Sequence, residues 1–144
     1  MKHINVRVYG ILIEDGNVLV SDEYIKGNNI TKFPGGGLEY GEGIKECLMR
    51  EFKEELDLNI EIISHFYTTD FFVNSAFSNQ SQIISVYYLV KPLSKLDFTI
   101  SNKVFDFKEI KEGAQSMRWI DLNKVSEGDF TFIIDKHVAD LLEK

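Results

Sequence analysis

Gly35-Gly36-Gly37-Leu38-Glu39-Tyr40-Gly41-Glu42 runs directly into Gly43-Ile44-Lys45-Glu46-Cys47-Leu48-Met49-Arg50-Glu51-Phe52-Lys53-Glu54-Glu55-Leu56-Asp57-Leu58. The first half is the most glycine-rich point of the chain. Glycine admits backbone conformations closed to other residues and lets a ligand approach the main chain closely. The second half, residues 43–56, lacks proline and carries helical periodicity. A glycine loop feeding a helix N-terminus presents free N–H groups that favour anions. Taken alone, such a cluster is a weak signal, since many are plain turns.

The acids of this helix sit where an ordinary amphipathic helix would not put them. Successive helical residues turn by about 100°. On that wheel Ile44, Cys47, Leu48 and Phe52 share the core-facing side. Glu51 and Glu55 project into the same arc, Glu54 lies at its edge, and Arg50 points away, nearer Glu46 and Glu54. Three carboxylates spaced three and four residues apart can converge on one point. They would repel one another there, and a divalent cation removes that cost, with oxygen ligands suiting Mg²⁺ or Mn²⁺. For the acids alone the alternative stays open: a solvated helix end whose charge Lys53 and Arg50 offset.

Working outward, residues 4–13 and 18–24 are strand-like and joined by Asp15-Gly16-Asn17, which makes a hairpin. Residues 25–32 look like an exposed loop. Beyond the helix, strands are expected over 58–67 and, most strongly, 83–90, separated by a polar loop over 74–82. Residues 96–111 are ambiguous, and 117–122 around Trp119 form a short strand. Thr131 is a candidate cap for a last helix reaching about Leu142. Strands mixed with two helices point to a single α/β domain over residues 1–144, with helices packed on a mixed sheet.

Composition narrows the function classes. The chain has 144 residues, 44% hydrophobic, with a formal net charge of −7. That is one domain's worth of chain with an ordinary core, and its charge argues against non-specific nucleic-acid binding. The single cysteine, Cys47, excludes an intrachain disulfide and reads as a small buried residue. No signal peptide or membrane-length apolar run is visible, so a soluble protein in a reducing cytoplasm is expected.

Loop and helix together resemble the Nudix box, G-x5-E-x7-R-E-U-x-E-E-x-G-U, where U is a bulky apolar residue. Gly36, Glu42, Arg50, Glu51, Phe52, Glu54, Glu55 and Leu58 fill its positions, and the box spans residues 36–58. Asp57 stands where the family usually has glycine, a departure that bears on local stability more than on catalysis, because Asp tolerates the left-handed conformation that often ends a helix. The strand pair before the box, Phe33-Pro34 and Arg118-Trp119-Ile120 are similar to the family as well.

The resemblance implies a Nudix fold, an α/β/α sandwich with a mixed sheet, and a MutT-like hydrolase. Such an enzyme uses Mg²⁺, with Mn²⁺ possible, to cleave the diphosphate bond of a nucleoside diphosphate linked to another moiety, by attack of water on phosphorus. Glu51, Glu54 and Glu55 would be metal ligands, directly or through water, together with the Gly35 carbonyl. Arg50 would hold the acids in place by pairing with Glu42. Gly36, Gly37 and Glu39 would support the loop. The general base is Glu55, Glu109 or Glu112.

Substrate signatures of family subgroups are missing. Residues 73–76 hold no Tyr or Pro of the diadenosine-polyphosphate or ADP-ribose kind, and residues 18–32 hold none of the coenzyme A type arginines. The arginine that many members carry at the end of the second strand is replaced by Ser21-Asp22-Glu23, with Lys26 or Lys32 as substitutes, although surface lysines are the plainer reading of both. Phe66, Tyr67, Phe71, Phe72 and Phe77 are candidates for base stacking, with a core position the plainer reading. The rival function is a Nudix-fold sensor that binds a nucleotide without cleaving it. Such proteins usually lose box acids, and this chain keeps them. Family members are often homodimers, and nothing in the sequence decides that here.

Overall fold

The structure, a computed structural model, describes residues 1–142. These residues form two compact units, the first of residues 1–12 and 34–96, the second of residues 13–33 and 97 onward.

The first unit is built on β1 (His3–Glu14), whose residues up to Leu12 belong to it. On one side β1 pairs antiparallel with β4 (Gly35–Gly37), Arg7 opposite Gly37, Val8 opposite Gly36 and Tyr9 opposite Gly35. On the other it runs parallel to β7 (Ser78–Pro92), which pairs antiparallel with β5 (Ile60–Thr68) and with the two-residue β6 (Asn74–Ser75). The sheet is therefore mixed, as the α/β reading expects. Helix α1 (Ile44–Leu56) buries Cys47, Leu48, Phe52 and Leu56, while Ile44 is half-buried. Complete burial of a side chain the size of Phe52 contributes about 2–3 kcal/mol. The sequence placed a polar loop over 74–82, yet β6 and the start of β7 occupy much of it. That hairpin is largely exposed, so its residues lack the apolar alternation by which strands are recognised.

The second unit centres on β2 (Asn17–Ile25), flanked antiparallel by β3 (Asn28–Lys32) and β8 (Gln115–Asp121). The expected β1–β2 hairpin is present, with Ile13 opposite Val18. The expected loop over 25–32 is instead a second hairpin. Its two-residue turn, Lys26-Gly27, has φ of 50° and 79°, the doubly left-handed geometry that matches strand twist. Lys32 is correspondingly not a surface lysine: it is buried, with Nζ 3.2 Å from Glu23 Oε2. The ring of Phe33 stacks on Phe130 at 4.5 Å. Helix α2 (Ile133–Leu141) closes the unit, but Thr131 does not cap it. The helix begins after Phe132, and the Thr131 hydroxyl accepts from the Thr31 N–H at 2.8 Å, tying the segment to β3. Residues 97–114 are mostly irregular, anchored by a parallel bridge between Ile100 and Met117. Among the described residues, no helix is long and apolar enough to cross a membrane.

Candidate active site

The candidate residues come from β4, the turn that follows it and α1, all within the first unit. Gly36 and Val8 share one side of the β4–β1 ladder, and α1 lies over that side. A Cβ on Gly36 would stand 2.5 Å from the carboxyl carbon of Glu51, so only glycine lets this acid lie against the loop backbone. The Glu51 side chain is 16% exposed. Glu55, one turn further on, is half-buried, and Glu54 is largely exposed at 61%.

Arg50 organises these groups. Its Nε and Nη2 donate to Oε2 and Oε1 of Glu42 at 2.9 and 2.7 Å. Nη1 donates to Glu51 Oε2 at 3.0 Å and to Glu54 Oε1 at 3.2 Å. Nη2 also reaches the Gly37 carbonyl at 3.1 Å and stands 3.7 Å from Glu39. The helical wheel puts Arg50 near Glu46 and Glu54; the Glu54 contact is present, but Glu46 instead accepts from the Gly43 N–H at 2.7 Å, serving the helix start, and the rest of the guanidinium folds back onto the loop. Glu42 completes the loop by accepting from the Glu39 N–H at 2.9 Å.

Electrostatics follow from this hub. The Arg50 fork, then the Glu39 N–H, hold the Glu42 carboxyl near pH 2 against an ordinary 4.5. The same pairing raises the Arg50 guanidinium further above its usual range. Burial, followed by the Glu42 hydrogen bond, pushes the Cys47 thiol up to about 12, which fits an inert core residue rather than a nucleophile. Asp57 ends α1 in the left-handed conformation, φ 50° and ψ 40°, with its N–H bonded to the Lys53 carbonyl at 3.0 Å and its carboxylate 2.9 Å from Lys53 Nζ.

Carboxylate oxygens set against glycine backbone are the chemistry a hard divalent cation takes. At Gly36 the Glu51 carboxylate lies so close to the backbone that a Cβ would collide with it. Glu51 and Glu54 approach a shared Arg50 nitrogen rather than a common point among three acids, and no group of three or more His, Cys, Asp or Glu that could hold an ion occurs among the described residues.

Glu109 and Glu112 belong to the second unit. Glu112 accepts from the Lys26 N–H at 2.7 Å, and Glu109 is exposed, 3.8 Å from Lys111. Phe71, Phe72 and Phe77 are exposed rather than core, while Phe66 and Tyr67 are half-buried. Asp22 is fully buried and receives Arg118 Nε at 2.7 Å and Thr31 Oγ1 at 2.7 Å. This is a structural ion pair of the second unit. Arg7, which the sequence gave no reason to single out, lies against Gly37.

A family model for the NUDIX domain matches residues 1–141. Solved structures share the fold at low identity. A NUDIX hydrolase from Nitrosomonas europaea aligns with a TM-score of 0.71 at 18% identity, over 94% of this chain and 86% of that one. A MutT NUDIX hydrolase from Burkholderia pseudomallei aligns with 0.68 at 16%, over 97% and 98%. An ADP-ribose pyrophosphatase from Streptococcus suis aligns with 0.62 at 14%, over 96% and 86%. With the family model spanning nearly its whole length, and a glycine loop, an arginine hub and box acids arranged as above, the chain belongs to the Nudix hydrolase family, pyrophosphohydrolases that generally use a divalent metal and act on small nucleotide-type substrates.

Proposed function

We propose that the chain, acting as a single domain over residues 1–144, is a cytoplasmic Mg²⁺-dependent hydrolase that cleaves the diphosphate bond of a nucleoside diphosphate linked to another moiety. The observation that carries this reading is the Arg50 hub, which ties Glu42, Glu51, Glu54 and the Gly37 carbonyl into one constellation. A plain solvated helix end would not fold its arginine back onto the preceding loop.

In this reading Glu51, Glu54, Glu55 and the Gly35 carbonyl hold the metal. When bound, the ion polarises the phosphoryl group and lowers the pKa of the attacking water. Arg50 sets the orientation of the carboxylates, and Glu42 and Glu39 brace Arg50 and the loop. Glu55 takes the proton of the attacking water. The water oxygen bonds to phosphorus as the bridging P–O bond breaks, and the second phosphate leaves with the bridging oxygen. Glu55 is preferred to Glu109 and Glu112 because it lies in the box, within the same unit as the other acids. The nearby folds include an ADP-ribose pyrophosphatase, but residues 73–76 lack that subgroup's mark, so the substrate is assigned only as a class.

The test is a hydrolysis panel across nucleoside triphosphates, nucleotide sugars and dinucleotides, with and without Mg²⁺, the products being separated by chromatography. Metal-dependent cleavage of a nucleoside-diphosphate-linked compound into a nucleoside monophosphate and the phosphorylated moiety is expected. Tight binding without hydrolysis across the panel would make the chain a sensor and overturn the proposal.

A further inference from the structure

The chain contains six tyrosines. Tyr9, Tyr24, Tyr67, Tyr87 and Tyr88 each lie against another aromatic ring. Tyr40 is placed differently: its ring is fully exposed. A single exposed ring is ordinary on a protein surface. What sets Tyr40 apart is the frame that carries it. It takes the second position of a turn over residues 39–42, closed by the Glu42 N–H donating to the Glu39 carbonyl at 3.3 Å. Gly41, at the third position, has φ of 97°, the positive value that a type II turn asks of glycine there. The Glu42 carboxylate closes the turn a second time by accepting from the Glu39 N–H at 2.9 Å, and it is itself gripped by Arg50 Nε and Nη2.

This frame joins the ring to the box. The guanidinium that holds Glu42 also donates to Glu51 and Glu54 through Nη1, so the turn and two of the box acids share one cation. Glu39 stands beside Nη2 and Glu54 beside Nη1, and both side chains are 61% exposed, which leaves this rim open to solvent. The rim is acidic, so away from a metal it repels phosphate and admits a neutral group. The base is the neutral, planar part of a nucleoside diphosphate. A tyrosine ring meets it with a flat apolar face and few side-chain torsions to freeze. Every base has a face of this kind, so stacking accepts a base without reading its edge.

We propose that Tyr40 determines the site's preference for diphosphates that carry a nucleobase, its ring being the platform on which the base stacks while the diphosphate lies at the box acids. The inference rests on the hydrolase reading above for its substrate, but it can be tested apart from it. The probes are the α,β-methylene diphosphates of adenosine, guanosine, cytidine and uridine, whose P–C–P bridge resists hydrolysis, and base-free methylenediphosphonate. Each is titrated calorimetrically into the full-length protein with Mg²⁺. Wild type is expected to bind at least one of the nucleotides more tightly than methylenediphosphonate. Tyr40→Ala should weaken that nucleotide about fivefold or more, the loss expected of one base–aromatic stack, and leave methylenediphosphonate within about twofold. Tyr40→Phe should keep the affinity and Tyr40→Leu should lose it, because stacking needs the ring rather than its hydroxyl or its bulk. With a hydrolysed nucleotide substrate, Tyr40→Ala should raise KM by a similar factor with kcat within about threefold of wild type. Because the ring is fully exposed, melting temperatures should stay within about two degrees of wild type. Where Tyr40→Ala fails to fold, Tyr40→Phe against Tyr40→Leu carries the comparison. Equal nucleotide affinity in wild type and Tyr40→Ala, an equal loss for nucleotide and methylenediphosphonate, or no nucleotide bound more tightly than methylenediphosphonate overturns the inference. Absence of turnover by wild type across all substrates, with the nucleotide-specific loss intact, would instead overturn the hydrolase reading and leave Tyr40 as the base platform of a nucleotide sensor.

Discussion

Arg50 and Glu42 form a two-pronged ion pair, Nε to Oε2 at 2.9 Å and Nη2 to Oε1 at 2.7 Å, across the turn that joins the glycine loop to α1. The pair is mostly shielded, with side-chain exposures of 24% and 16%. It fixes the guanidinium so that the remaining nitrogen can serve Glu51 and Glu54 together. A paired fork of this kind sets direction as well as charge.

Replacing the fork with a point charge isolates that directional role. Arg50→Lys keeps the positive charge but cannot hold both Glu42 oxygens, Glu51 and Glu54 at once. Turnover should fall about 10- to 100-fold, the usual cost of losing a partner that orients metal ligands, with a melting temperature lower by a few degrees. Steady-state kinetics and thermal melts on the same preparation check both. Wild-type turnover in Arg50→Lys would mean that the hub braces the fold and nothing more.

The depressed Glu42 carboxyl makes stability depend on pH in a defined window. Because folding favours the ionised form, the contribution is fully present above the ordinary value of 4.5, declines as pH falls, and is gone below about 2. Melting temperatures of wild type and Glu42→Gln should therefore differ most near neutrality and converge as pH drops through that interval. A difference that stays constant across the range would show that the Arg50 pair does not hold the carboxyl down.

Legibility in the sequence followed local pattern. The box helix was readable because Ile44, Cys47, Leu48 and Phe52 repeat at helical spacing, the last three buried and Ile44 half-buried, and the Arg50–Glu42 partnership was readable from the motif. β3 was missed because Lys26-Gly27 is not a familiar hairpin dipeptide, and Asn28-Asn29 offers no alternation. Lys32 was read as surface because its burial depends on Glu23, a cross-strand neighbour visible only once β3 is paired with β2. Thr131 was read as a cap because its hydroxyl suits one, but β3 claims that hydroxyl. The position of Arg7 opposite Gly37 was not readable either, because register between β1 and β4 is fixed by tertiary contacts rather than by local sequence.

Asp57 gives a prediction about the box's one departure. Its left-handed backbone favours glycine, while its carboxylate pairs with Lys53 in an exposed setting that contributes little. Asp57→Gly should raise the melting temperature by a few degrees and leave kcat unchanged. Asp57→Val should lower it, because a β-branched side chain resists that conformation. A lower melting temperature in Asp57→Gly would show that the Lys53 pair outweighs the relieved strain.

The central claim is that the acids of α1 hold the ion that drives hydrolysis. The most direct measurement is turnover of Glu54→Gln and Glu55→Gln under saturating Mg²⁺, with thermal melts alongside. The account predicts at least about a hundredfold loss of kcat in each, with both variants folded as wild type. Unchanged turnover in both would contradict it.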